Sequence, residues 1–255
     1  MYWSESGDLT QAGQALVASF LAGMASGLGG LMALVRPALF RRIYHTLLGF
    51  SAGVMLAAAA LTLLLPALRN GSLAAVALGL FCGGALIVGL DRALPHLEPH
   101  FAPRFEGREA RFGLLLLAAM ALHNLPEGLS VGVAYAHGDG RLGMIVALAI
   151  AAQNIPEGVA VALPLRAAGA GRLEALLWSV GSGLVEPVAA AAGYHGVSAV
   201  AGVVPFALAA AAGAMVFVVS DQLIPEARSE RRDMKPSIAL LAGFFLVGAL
   251  LKVLG

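Results

Sequence analysis

Long apolar stretches, broken at short intervals by charged or Gly/Pro-containing segments, fill the chain from near its start to its end. The runs fall near 11–35, 45–67, 72–91, 112–135, 141–165, 173–194, 199–223 and 236–254. Each is close to the ~20 residues an α-helix needs to cross the hydrocarbon core of a bilayer. Most breaks carry a strong polar signal: Arg41-Arg42, Arg69-Asn70-Gly71, His137-Gly138-Asp139-Gly140 and Arg228 to Lys235. The break at Gly193 to Ser198 is the weakest. The pattern predicts an all-α, polytopic membrane protein with eight transmembrane helices, residues 1–255 forming a single transmembrane domain.

Composition agrees. The chain is 59% hydrophobic and 12% charged, with a mean hydropathy of +0.85, where soluble domains carry about 25% charged residues. A net charge of +1 with scattered basic residues argues against a nucleic-acid partner. Lone Cys82, inside an apolar run, excludes an internal disulfide and any thiolate cluster. Residues Met1 to Asp8 include Glu5 and Asp8 and lack a positive n-region, so no cleavable signal peptide is expected and the first span is retained. Tyr2 and Trp3 precede that span, at headgroup level.

Alternate loops differ in charge. One side collects Arg36, Arg41, Arg42, Arg92, Arg104, Arg108, Arg111, Arg166, Arg172, Arg228, Arg231, Arg232 and Lys235, 13 of the 16 basic residues. The other holds Arg69, Arg141 and Lys252. Because positive loops stay cytoplasmic, both termini are expected outside, and a missed span would have blurred the asymmetry. Gly23/Gly27, Ser26/Gly30 and Gly79/Gly83 stand at four-residue spacing, which predicts close helix packing in lipid. No phosphate loop is present, since the Lys-Ser/Thr ending and its strand are missing.

Three carboxylates lie inside spans: Glu127 in the fourth, Glu157 in the fifth and Glu186 in the sixth. Charged and uncompensated, each would cost about 2.5–3.5 kcal/mol, so they must be protonated, paired or metal-bound. Arg141, Arg166, Arg111 and Arg172 all sit at span ends, which weakens salt-bridging. His123 and Glu127 are four residues apart, on one helix face, with Asn124 beside them. The fifth span repeats the spacing with Gln153, Asn154 and Glu157. Adjacent spans run antiparallel, so the two polar faces can meet at one depth. Pro126 and Pro156 release the carbonyls of Leu122 and Ala152 beside these side chains. One imidazole, three carboxylates and several amide oxygens suit zinc, iron, manganese, cobalt or cadmium better than copper(I). Magnesium and calcium would favour oxygen alone. Met55 in the second span adds a candidate thioether.

At His123-Asn124-x-Pro126-Glu127-Gly128 and Gln153-Asn154-x-Pro156-Glu157-Gly158 the chain resembles the ZIP (Zrt-, Irt-like protein) metal transporters, in their bacterial GufA-like branch. Gly49 to Met55, Gly183 to Pro187 and Ser220 to Glu226 extend the likeness over nearly the whole chain. The resemblance implies eight helices in a 3+2+3 arrangement, the outer triplets being inverted repeats, with both termini extracytoplasmic. It implies a transport site of Met55, His123, Glu127, Gln153 and Glu157, with Asn124, Asn154 and Glu186 completing a second, neighbouring site. Relatives are thought to slide one helix group against another. Some have Asp at the position of Asn154 and His-Glu at Asp221-Gln222; here the second site loses a charge, and Asp221 and Glu226 read as solvated charges. His96, Glu98 and His100 resemble metal-gathering residues of the cytoplasmic loop, and Asp91 stands at an exit path or helix end.

The leading expectation is a carrier, not an enzyme, that moves divalent metal, zinc first, toward the cytoplasm across a cell (inner or plasma) membrane. Zinc or another divalent ion is the bound substrate, and no organic cofactor is expected. The bilayer and the metal are the partners, with a homodimer open. Alternatives are a proton or monovalent-cation channel using the buried carboxylates, and an intramembrane metalloenzyme, for which no His-Glu-x-x-His motif is present.

Overall fold

Pro37 opens a helix immediately after Arg36, because a proline in the first helical turn loses no hydrogen bond and has its φ already set. The second helix therefore begins eight residues before the apolar run, and no loop separates it from the first. The computed structural model describes residues 5–101, 108–136, 140–198, 202–229 and 233–254; side chains at 5–10, 91, 93–101, 108–119, 121–122 and 198 are not described. Tyr2, Trp3, Arg104, Arg231, Arg232 and the side chains of Asp91, His96, Glu98 and His100 lie outside the described residues.

The described residues are helical, apart from short connections. In order they are α1 (Glu5–Val35), α2 (Pro37–Ala57), a π-helical segment (Ala58–Leu64), α3 (Leu65–Asn70), α4 (Leu73–Phe101), α5 (Arg108–Ala136), α6 (Arg141–Ala168), α7 (Arg172–Gly183), α8 (Val185–Ser198), α9 (Val204–Val218), a second π segment (Val219–Leu223), α10 (Ile224–Ala227) and α11 (Lys235–Leu254). The second, sixth and seventh spans are thus composite: α2 to α3, α7 with α8, and α9 to α10. Among the described residues seven stretches are long and apolar enough to cross a membrane, and α5, with 29 residues, is the eighth of spanning length. The seventh span starts at Val204, not near 199, because Pro205 nucleates its first turn. Gly140 (φ 66°) and Gly169 (φ 110°) bracket α6 in left-handed conformations that cost a glycine little.

Both π segments end just before a proline, Leu65-Pro66 and Ile224-Pro225. A proline removes one helical donor and crowds the turn behind it, and a widened π turn absorbs that mismatch.

The spans pack in two groups. In one, α1 lies along α6, α5 along α8, and α1 crosses α7 and α8; in the other, α2 lies along α11 and α4 along α9. The groups meet mainly where α2 touches α6 and α5 touches α9. Exchanging first with sixth span, second with seventh, third with eighth and fourth with fifth turns this set of pairings into itself. The exchange maps odd spans onto even ones, so the repeat is inverted.

Close glycine contacts fix its register at 160 residues. A Cβ on Gly53 would strike the Leu240 carbonyl, and one on Gly213 the Leu80 carbonyl. Gly83 meets the Ala210 carbonyl as Gly243 meets that of Phe50, while Gly23 and Gly183 meet each other. Every partner differs from its counterpart by the same 160 positions. The sequence carries the trace: Ala52-Gly53-Val54-Met55 recurs as Ala212-Gly213-Ala214-Met215. Small residues let helix backbones touch where lipid gives little other drive for association.

Candidate metal centre

Gln153 Nε2 donates to Glu127 Oε1, and this bond sets the register of α5 against α6. Since the two helices are antiparallel, a step of one turn puts His123 level with Glu157. Both pairs are buried; His123 is 8% exposed and Glu127 not at all.

The asparagines do a different job. Asn154 Nδ2 donates to the Ala22 carbonyl of α1 (2.8 Å) and to Glu186 Oε1 of α8 (2.6 Å). Asn124 Nδ2 donates to the Ser182 carbonyl of α7 (2.6 Å). Ala22 and Ser182 each precede a glycine of the Gly23–Gly183 crossing, so each central helix clamps one of the two crossing helices beside that crossing. Glu157 Oε1 accepts from Ser51 Oγ of α2 (3.1 Å), the one bond among these that joins the two helix groups. Ser51 escaped the sequence reading, although it stands one turn before Met55 in the stretch Gly49 to Met55. Met55 itself is fully buried on the same face of α2, within an apolar cluster containing Ala52, Val54 and Met215.

Each polar side chain here keeps one oxygen unused. Among the described residues, Glu127 Oε2, Glu157 Oε2, Glu186 Oε2, Asn124 Oδ1, Gln153 Oε1 and Asn154 Oδ1 are buried without a hydrogen-bond partner. The three carboxylates lie within electrostatic reach of one another. An unmet buried polar atom costs about 1–3 kcal/mol, more when charged, so six together need a common explanation. Among the described residues no three His, Cys, Asp or Glu side chains close on one point; the amides of Gln153 and Asn154 are hydrogen-bonded to Glu127 and Glu186. Amide and carboxylate oxygens with one nearby imidazole form a borderline donor set, matched to divalent transition ions.

Asp221 and Glu226 are exposed. Glu226, with Arg41, Tyr44 and Pro164, borders a cavity of about 350 Å³ where α2, α6 and α10 meet at the end of the bundle that carries Arg41 and Arg166.

At a pH high enough to leave the metal-free carboxylates ionised they repel one another in a dry site, and Glu186→Gln is there expected to raise the metal-free melting temperature. The same change should shrink the zinc-induced rise in melting temperature. Thermal melts in detergent with and without zinc check both halves.

The chain matches the family model described as ZIP Zinc transporter over residues 102–251. It is 42% identical to the zinc transporter ZIPB of Bordetella bronchiseptica over 251 residues, covering 91% of this chain and 78% of that protein. Identity to the zinc transporter GufA of Myxococcus xanthus is 39%, covering 95% and 100%. It is also 39% with the zinc transporter ZupT of Corynebacterium glutamicum, covering 88% and 93%.

Proposed function

We propose, on the premise that this chain belongs to the ZIP zinc transporter family, that it carries zinc or a similar divalent ion across the membrane through the buried set on α2, α5, α6 and α8. As a family member with spanning helices it is an integral membrane transporter and not an enzyme. The observation that carries the reading is that six buried side-chain oxygens on α5, α6 and α8 lack a hydrogen-bond partner among the described residues, with His123 buried on α5 one turn from Glu127. His123, Glu127, Gln153 and Glu157, with Met55 nearby, hold the transported ion. Asn124, Asn154 and Glu186 hold a second position, weaker because Asn154 is neutral.

Movement follows from the packing in two groups. The ligands of α5, α6 and α8 belong to the group with α1 and α7, and Ser51 and Met55 to the other. Sliding one group along the other exposes the same ligands to each side in turn, while Glu127 and Glu157 exchange metal for protons. The basic end of the bundle faces the cytoplasm, with both chain ends outside. Uptake toward the cytoplasm is the direction that the family resemblance supports.

Purified protein in liposomes containing a trapped zinc indicator is expected to admit zinc well above protein-free vesicles. His123→Ala should lower the rate on the order of tenfold or more, since even an outer partner of a metal ligand is worth that much. A proton or monovalent-cation pathway would instead leave flux indifferent to His123, and that outcome would overturn the reading.

A further inference from the structure

The inverted repeat gives Glu186 a counterpart. At the 160-residue offset it is Ser26, on α1, and the packing fixes this correspondence twice. Gly128 abuts the Glu186 carbonyl as Gly158 abuts that of Ser26. Asn154 holds the carbonyl of Ala22, four residues before Ser26, as Asn124 holds that of Ser182, four residues before Glu186.

Ser26 is also chemically unusual. A serine inside a helix ordinarily satisfies its hydroxyl on a carbonyl one turn back. Ser19 bonds Ala15, Thr62 bonds Ala58, and Ser130 and Ser182 bond Glu127 and Ser179. Ser179 donates to the Ser26 and Gly158 carbonyls, and Ser51 to Glu157. Ser26 is 1% exposed, and its Oγ has no partner among the described residues. Of the two carbonyls one turn back, that of Ala22 is already held by Asn154, a side chain of the proposed metal centre. Asn154 pairs with Glu186 in one half of the repeat; by the same 160-residue correspondence the counterpart of that pair is Asn124, with its own unused Oδ1, and Ser26.

We propose that the Ser26 hydroxyl is a further ligand position of the metal centre, facing Asn124 across the repeat axis from Glu186 and Asn154, and binding the second divalent ion directly or through its bound water. The reading rests on the proposed metal centre. A neutral hydroxyl where the repeat has a carboxylate makes the centre asymmetric: charge concentrates toward α6 and α8, and the second ion is held loosely on the α1 side. Position 26 thereby sets how tightly that ion is kept.

Calorimetric titration of the purified full chain in detergent with zinc tests this. Two binding events are expected, and Ser26→Ala, nearly isosteric, should weaken the looser one about fivefold, the factor of one neutral polar contact. Ser26→Asp should tighten it by more than that factor. Ser26→Cys, similar in volume, should shift preference toward cadmium, a response that packing alone would not produce. Wild-type zinc curves for Ser26→Ala and Ser26→Asp, with an unchanged zinc-to-cadmium ratio for Ser26→Cys, overturn the proposal, whether one event or two is seen. Glu157→Ala, run in parallel, separates the two readings. If it too binds like wild type, the metal centre itself is misplaced; if it alone loses binding, the centre stands and the role of Ser26 falls.

Discussion

Glu157→Ala is expected to bring zinc uptake into liposomes down to the protein-free baseline, a loss of at least about a hundredfold. Glu157 combines three properties that no other described side chain shares. Its unused Oε2 is one of the six buried oxygens, it stands level with His123, and its Oε1 is joined to Ser51 of the opposing helix group. Removing it takes away a proposed carboxylate ligand, and loss of a mere outer partner already costs 10–100-fold at metal sites. Folding should survive, because alanine removes the unmet Oε2, and the Ser51 hydroxyl that loses its acceptor can turn to a carbonyl one turn back on α2; a monodisperse elution profile checks this. Ser51→Ala is the matched control. It deletes the neutral donor and spares the carboxylate, so uptake should fall by only about fivefold. Uptake by Glu157→Ala equal to wild type would remove α6 from the site.

The second large effect concerns assembly. Gly53→Val and Gly213→Val should each abolish accumulation of folded protein, and by similar amounts. Any Cβ at Gly53 overlaps the Leu240 carbonyl, and at Gly213 the Leu80 carbonyl, in both cases backbone of a packed helix that cannot swing aside. Overpacking of a tight core costs about 1–3 kcal/mol or more, and a branched side chain between two helix backbones belongs at the upper end. Gly248→Val in α11, where a Cβ would meet nothing, should leave folding unchanged. Fluorescence-detected gel filtration of membrane extracts distinguishes these cases. Equal damage at Gly53 and Gly213 is what the inverted repeat requires; tolerance at one of them would break its 160-residue register.

The candidate site was open to a sequence reading because its residues contradict their surroundings. Carboxylates, amides and a histidine in the middle of apolar runs stand out one by one, and the spacing of His123 to Glu127 and Gln153 to Glu157 puts each set on one helix face. Ser51 and Ser26 gave no such signal. A serine in a membrane helix is cheap, usually satisfied by its own backbone, and becomes informative only when the carbonyl it would use is seen to be occupied. The irregularities of the helices were equally hidden. Pro66 and Pro225 were not singled out, and whether the chain answers such a proline with a kink or with the π segments at Ala58–Leu64 and Val219–Leu223 depends on the packing of neighbouring turns. Arg41-Arg42 read as a break, yet they continue α2 beyond the apolar run, since a charged pair ends a hydrophobic stretch without ending a helix.

The sequence by itself determined that the chain is all-helical and belongs in a membrane, where its spans lie to within several residues, which helices bear the candidate ligands, and which family it resembles. Those properties follow from transfer of each segment into lipid, a free energy summed along the chain and indifferent to neighbours. The tertiary structure decided which faces meet: the Gln153–Glu127 register, the clamping of Ala22 and Ser182 beside the Gly23–Gly183 crossing, and the equivalence of Ser26 with Glu186. Lipid tails are as apolar as the side chains they surround, so hydropathy cannot choose among partners. That choice falls to close contact between small residues and to a few buried hydrogen bonds, which acquire meaning only when two helices are in place together.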